Sequence, residues 1–131
     1  MPWSATIKPY PEALPLCYTV HVWPTLGALN KAWWNGRKPK RPRVWGFFDK
    51  QEPPLPVLGS INLCRGDPEL HLTLIHECTH ATHYAARVLG FAKPTWDNEE
   101  LIALWHENTV KAALVAIGRR YRINARYASS R

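Results

Sequence analysis

The stretch Leu-Ile-His-Glu-Cys-Thr-His, residues 74–80, holds the side chains best suited to chemistry. His76 and His80 are four apart, so on an α-helix their imidazoles project from neighbouring turns of one face. Two imidazoles in that relation reach a single Zn2+ at about 2.0–2.1 Å each. Glu77 projects beside the pair, where its carboxylate can take a proton from an attacking water and deliver it to a leaving amine. An ordinary polar face would scatter these residues among Lys and Gln. Here the flanks are largely apolar, Leu-Thr-Leu-Ile before and Ala-Ala after Tyr84, so the group is set into a mostly buried helix. Burying two histidines and a glutamate requires partners, and a metal ion supplies one.

A catalytic zinc site takes a third protein ligand and keeps one position open. His83 lies on the same face, but a rise of about 1.5 Å per residue separates it too far from His76 to share one ion. That leaves it beside the site or at the surface. The better candidates are Glu99 and Glu100, which open the last helical stretch. Glu99 shares a face with Ile102, Ala103, His106, Val110 and Ile117, which points inward. Glu100 shares one with Ala103, Leu104, Glu107 and Lys111, and with Asp97 as cap it takes the capping-box position. Periodicity slightly prefers Glu99.

The 131 residues fit one domain with a single core, and 46% hydrophobic against 21% charged residues is an ordinary globular balance. No stretch approaches the roughly 20 apolar residues that span a bilayer. Prolines at 2, 9, 11 and 15 interrupt any signal-peptide helix. Cys17, Cys64 and Cys78 are odd in number and form no Cys-x-x-Cys pair, which points to a reducing, cytoplasmic setting. The net charge of +7 is concentrated in Arg37–Arg43 and in the tail from Gly118, while acidic residues gather around the His-Glu motif. Basic ends around an acidic centre suit a cation site with arms that find polyanions.

The elements that must position the motif read as follows. Residues 1–15, punctuated by proline, run extended over the surface. Leu16–Trp23 is a strand, and Thr25 caps a helix that stops at Gly36. The basic run is an exposed loop. Arg43–Lys50 is a second strand, and Val57–Arg65 a third, with Gly59 as a bulge or close approach. Asp67 caps the motif helix, with Pro68 at its first position and Gly90 at its end. Leu70, Leu74, Cys78, Ala81, Ala85 and Val88 form its core stripe. The last helix begins near Asp97 and ends at Gly118. The order β-α-β-β-α-α predicts an α+β fold, helices covering one face of a small three-stranded sheet.

His-Glu-Cys-Thr-His on one helix, about twenty residues of connection, and Asn-Glu-Glu-Leu-Ile-Ala on the next resemble the glutamate-zincins. The likeness is closest to their minimal forms, the minigluzincins and the SprT-like and ImmA-like small metallopeptidases, many encoded by phages or bacteria. The resemblance implies a zincin-like metallopeptidase domain over residues 16–118, with 1–15 and the tail 119–131 outside it. It implies His76 and His80 as zinc ligands and Glu77 as general base. Its third-ligand helix often reads Glu-x-x-Ala, which places that ligand at Glu100 with Ala103 as the small residue. It also implies that the strand before the motif helix, here Gly59, Ser60, Ile61 and Asn62, forms the upper edge of a cleft where a peptide adds as a strand. No family motif covers His83, Tyr84 or His106.

Arg37, Lys38, Lys40, Arg41 and Arg43 can contact phosphates without reading sequence, and SprT-like relatives act on DNA-bound proteins. A competing function is therefore a catalytically inactive zincin scaffold that binds nucleic acid or a protein partner as an inhibitor or regulator. The intact Glu77 argues against it, since a purely structural zinc needs no general base. A zinc deaminase is excluded, because no Pro-Cys-x-x-Cys pair follows the motif.

Overall fold

The structure is a computed structural model and describes residues 1–11, 14–34, 43–52, 56–91 and 95–119, the side chains of 96 and 97 excepted. In chain order its elements are β1 (Trp3–Ile7), β2 (Cys17–Trp23), α1 (Leu26–Trp34), β3 (Gly46–Lys50), β4 (Val57–Cys64), α2 (Leu70–Val88) and α3 (Trp96–Gly118). The fold is α+β, with three helices and one four-stranded sheet ordered β1-β2-β4-β3 among the described residues. β2 and β4 run parallel at the centre, and β1 and β3 are antiparallel edges.

The sheet has four strands where the sequence predicts three. The added strand is β1, in the segment read as a surface arm. Its prolines, at positions 2 and 9, fall outside the strand, and an edge strand tolerates them there. Register pairs Trp3 with Val22 and Ile7 with Tyr18, and Ile7 is buried in the main core.

Alternation along the strands sorts the two faces. Tyr18, Val20 and Val22 of β2 join Ile61 and Leu63 of β4 against Leu74, Cys78, Ala81 and Ala85 of α2 and Trp105, Ala113 and Ile117 of α3. Each large apolar side chain so buried contributes about 1.5–3 kcal/mol. The next residues along, Phe47 and Cys64, point the other way and pack with Leu29 of α1 in a smaller cluster. Helices therefore lie on both faces, not one. Asn30 ties α1 to the start of β3: its amide donates to the Val44 carbonyl at 3.0 Å and its Oδ1 accepts from Val44 N at 2.8 Å.

Gly59 is a bulge and a close approach at once. Pairing steps from Cys17–Val57 to Tyr18–Gly59, leaving Leu58 over, and a Cβ at Gly59 would fall 2.4 Å from the Asp49 carbonyl oxygen. Its φ of +155° also favours glycine.

The helix ends follow local chemistry with two shifts. Asp67 does bind the first turn, accepting from Glu69 N at 2.8 Å and from the Thr73 hydroxyl, but regular helix starts only at Leu70. α2 closes in a Schellman motif: Phe91 N donates to the Ala86 carbonyl, Gly90 N donates to Arg87, and Gly90 takes φ +89°. α3 is capped by Thr95, not Asp97. Asn98 at the third helical position closes the box, its Oδ1 accepting from Thr95 N at 2.7 Å. Glu100 is thereby free of the capping role. Among the described residues no helix is long and apolar enough to cross a membrane.

Candidate metal centre

The apolar stripe of α2 fixes which way its polar face looks. With Leu74, Cys78, Ala81 and Ala85 fully buried, the helix cannot rotate, and His76, Glu77 and His80 turn toward the edge of the sheet at β3. A buried chain of hydroxyls fixes its height. Tyr18 OH donates to the Ala81 carbonyl at 2.9 Å, leaving Tyr10 OH to donate to Tyr18 OH at 2.6 Å.

His76 Nε2 and His80 Nε2 stand 3.2 Å apart, both rings exposed, with centroids 4.8 Å apart and planes at 82°. The Glu77 carboxylate joins them, the three ligand atoms all lying within 4.8 Å of one another, so this group could hold a metal ion. Burial pushes the Glu77 carboxyl up from its usual 4.5 to about 7. His80 is held below its ordinary value, by burial first and then by His76 and His83. Both shifts favour neutral groups, and neutral imidazole is the form that binds a metal. Cys78, pushed up to about 12 by burial, is a packed thiol of the core face.

The backbone of β3 closes down on this group at Gly46. A Cβ there would lie 2.7 Å from Thr73 Cγ2, 2.9 Å from the Asn62 carbonyl oxygen and 3.4 Å from Glu77 Cγ. Only a residue without a side chain lets the strand sit so close. Glycine within a strand pattern marks a close backbone approach, and that rule applies to Gly46 as it does to Gly59. A cleft of about 610 Å³ opens between β3 and α2, lined by His76, Glu77, His80 and Tyr84 with Phe48 and Lys50 facing them.

The other candidates are placed as follows. Neither Glu99 nor Glu100 brings a carboxylate to the His76–Glu77–His80 group among the described residues. Glu99 lines a recess of about 330 Å³ between α2 and α3 with Thr79, Thr82, His83 and His106; Glu100 is exposed and lines neither that recess nor the cleft. His83 lines both the cleft and this recess. His106 braces the motif helix from behind. The Thr79 hydroxyl donates to the Ile75 carbonyl at 3.0 Å, so His106 Nε2, at 3.2 Å from that hydroxyl and 3.4 Å from the carbonyl, acts as the donor.

Gly59, Ser60, Ile61 and Asn62 do not edge the cleft. β4 is paired on both sides, by β2 and β3, and has no free backbone to offer a peptide. Ile61 is core, Asn62 accepts from Trp23 Nε1 on the far face, and Gly59 and Ser60 line a separate recess with Thr19 and His21. The strand facing the cleft is β3. Of the basic residues, Arg43 is exposed beside β3, and Arg37, Lys38, Lys40 and Arg41 lie outside the described residues. Comparison with known proteins returns no matching family model, no matching curated protein and no matching solved structure.

Proposed function

We propose that this protein is a zinc-dependent metallopeptidase of zincin-like arrangement, in which His76 and His80 hold the ion and Glu77 is the general base. The observation that carries this reading is the 3.2 Å separation of the two Nε2 atoms beside a buried carboxylate at the floor of a cleft. Two ligands about 2.0–2.1 Å from zinc at the tetrahedral angle stand about 3.3 Å apart, so the imidazoles need almost no movement to bind. Zinc, when bound, lowers the pKa of water and polarises a carbonyl.

The chain's own residues do the rest. Glu77, which has a proton affinity matched to neutral pH, accepts the proton of the attacking water and passes it to the leaving amine. Among the described residues no strand pairs with the outer edge of β3, and that edge offers its backbone to an extended peptide, which would lie between the strand and α2. Gly46 keeps this edge close to Glu77, so that the added strand passes over the base. For the third ligand, the recess between α2 and α3 favours Glu99, which shares it with His83. A cytoplasmic setting and a protein or peptide substrate belong to the same reading.

The test is metal content and peptide hydrolysis of the purified protein beside His80→Ala and Glu77→Gln. One zinc per chain, lost in His80→Ala and kept in Glu77→Gln, with hydrolysis lost in the first and reduced about 10²–10⁴-fold in the second, is the expected result. A folded wild type that takes up no zinc when it is offered sinks the proposal.

A further inference from the structure

Two recesses of different chemistry meet at His76 and Glu77. The cleft already described runs from that pair along α2 to His83 and Arg87. On the other side of Gly46 a second recess of about 400 Å³ shares His76 and Glu77 and is walled by Arg43, Trp45, Leu72 and Thr73. An extended chain lying on the edge of β3 passes from one into the other, crossing the base where they join.

The far end of the cleft is cationic. Arg87 is exposed at its lining and has no carboxylate partner among the described residues. Lys50 stands opposite on the same side of β3 as Gly46 and Phe48, held only by a loose exposed pair with Glu52 at 3.7 Å. Asp49 also lines the cleft, but alternation turns it to the far face, where it lines the recess with His21. A guanidinium with no carboxylate partner among the described residues, standing at a cleft end, is suited to a carboxylate, which it can grip through two parallel hydrogen bonds. The second recess differs: Trp45 and Leu72 stand 44% and 52% exposed at its wall, an apolar surface left open beside the base.

The strand direction sets which end is which. β3 and α2 advance together along the cleft, since Gly46 lies against Thr73 and Glu77, and Phe48 rests 6.0 Å from the Tyr84 ring. A peptide pairing antiparallel to β3, the more stable mode, has its N-terminal residues toward Lys50 and Arg87. Arg87 is seven residues beyond His80, about 10 Å along the helix, or about three residues of extended chain. A long helical side chain leans back toward the helix N-terminus, which shortens that reach.

Resting on the peptidase reading above, we propose that the cleft selects peptides with an acidic side chain two or three residues before the scissile bond and a large apolar side chain just after it. Arg87, with Lys50, recognises the acid; the Trp45–Leu72 recess takes the apolar group.

The experiment uses the full chain loaded with one equivalent of zinc and end-labelled decapeptides that differ only at those positions. Glu three residues upstream should raise kcat/KM at least fivefold over Lys, and the gap should narrow as salt is added. Arg87→Glu should reverse the preference while keeping one zinc per chain, and Arg87→Gln should abolish it, which secures the reading should the charge reversal not fold. Trp45→Ala should lower kcat/KM for Leu after the scissile bond more than for Ala. Cleavage without an upstream acidic preference, or with the preference downstream, overturns the inference and leaves the peptidase standing. No cleavage of any peptide by zinc-loaded wild type overturns both.

Discussion

The two sides of α2 are built on different principles. Toward the sheet, the backbone of β3 rests on Thr73 and Glu77 through Gly46, and the site on that side is fixed by contact. Toward α3, His83, Glu99 and His106 surround an open recess, and the Glu99 carboxylate stops short of His76 and His80. The sheet side is set by close packing, which has one solution. The helix side is set by the spacing of two helices around that open recess, which has several. A metal ion would be drawn to the first side by geometry already in place and would organise the second.

The largest expected effect tests the sheet side. Because burial raises the Glu77 carboxyl from 4.5 to about 7, the metal-free protein holds the protonated form more tightly folded than unfolded. Stability from this group is complete below about pH 4.5 and is lost as pH rises through 7, a difference of about 3 kcal/mol. His21 and His80, both lowered by burial, act in the opposite sense, so the fall is read from urea denaturation of the metal-free chain at pH 4.5 and 8 as wild type minus Glu77→Gln, where their contributions cancel. A fall of the same size in Glu77→Gln would place its origin elsewhere.

Gly46→Ala comes next. The added methyl meets Thr73 Cγ2 and the Asn62 carbonyl, costing about 1–3 kcal/mol and moving β3 off Glu77. Denaturation should show the loss of stability, and kcat should fall with zinc still bound. On the helix side, Glu99→Gln should weaken zinc binding about tenfold or more, with Glu100→Gln changing it less than twofold; competition with a chelator reads both. The reverse order would make Glu100 the ligand. Smallest is His106→Ala, which removes the brace on Ile75 and Thr79 for about 1 kcal/mol and should leave the sheet side unaffected.

The sequence carried the motif helix almost whole, because its signal is local: a stripe of apolar residues at helical spacing, a Gly90 stop, and three polar residues on the remaining face. Thr25 as the cap of α1 is local in the same way, its Oγ1 accepting from Ala28 N at 3.1 Å. What was not legible is what depends on partners distant in sequence. β1 hides because prolines near its ends outweigh the short alternation of Trp3–Ile7, and only pairing with β2 makes it a strand. The resemblance places the cleft at β4, the strand before the motif helix. Yet β4 slots between β2 and β3, and no local pattern encodes strand order. The cap of α3 lies two residues before the one its sequence suggests, because Asp97 and Thr95 both suit the role and the Asn98 hydrogen bond decides between them. That same shift freed Glu100 from the cap without bringing it to the histidines.

The main core joins the earliest strand to the last helix. Ile7 and Tyr10 pack in one cluster with Trp105, Ala113 and Ile117, and the Tyr10 ring meets Trp105 edge-on at 5.6 Å. The hydroxyl chain that sets the height of α2 begins at Tyr10. On the ribosome, therefore, the histidines emerge well before the helix that holds their floor in place. Contacts of such long sequence separation form late and slow folding. A nascent chain would carry the two histidines without a rigid site, and the ordered His76–Glu77–His80 group would arrive only once α3 has been made.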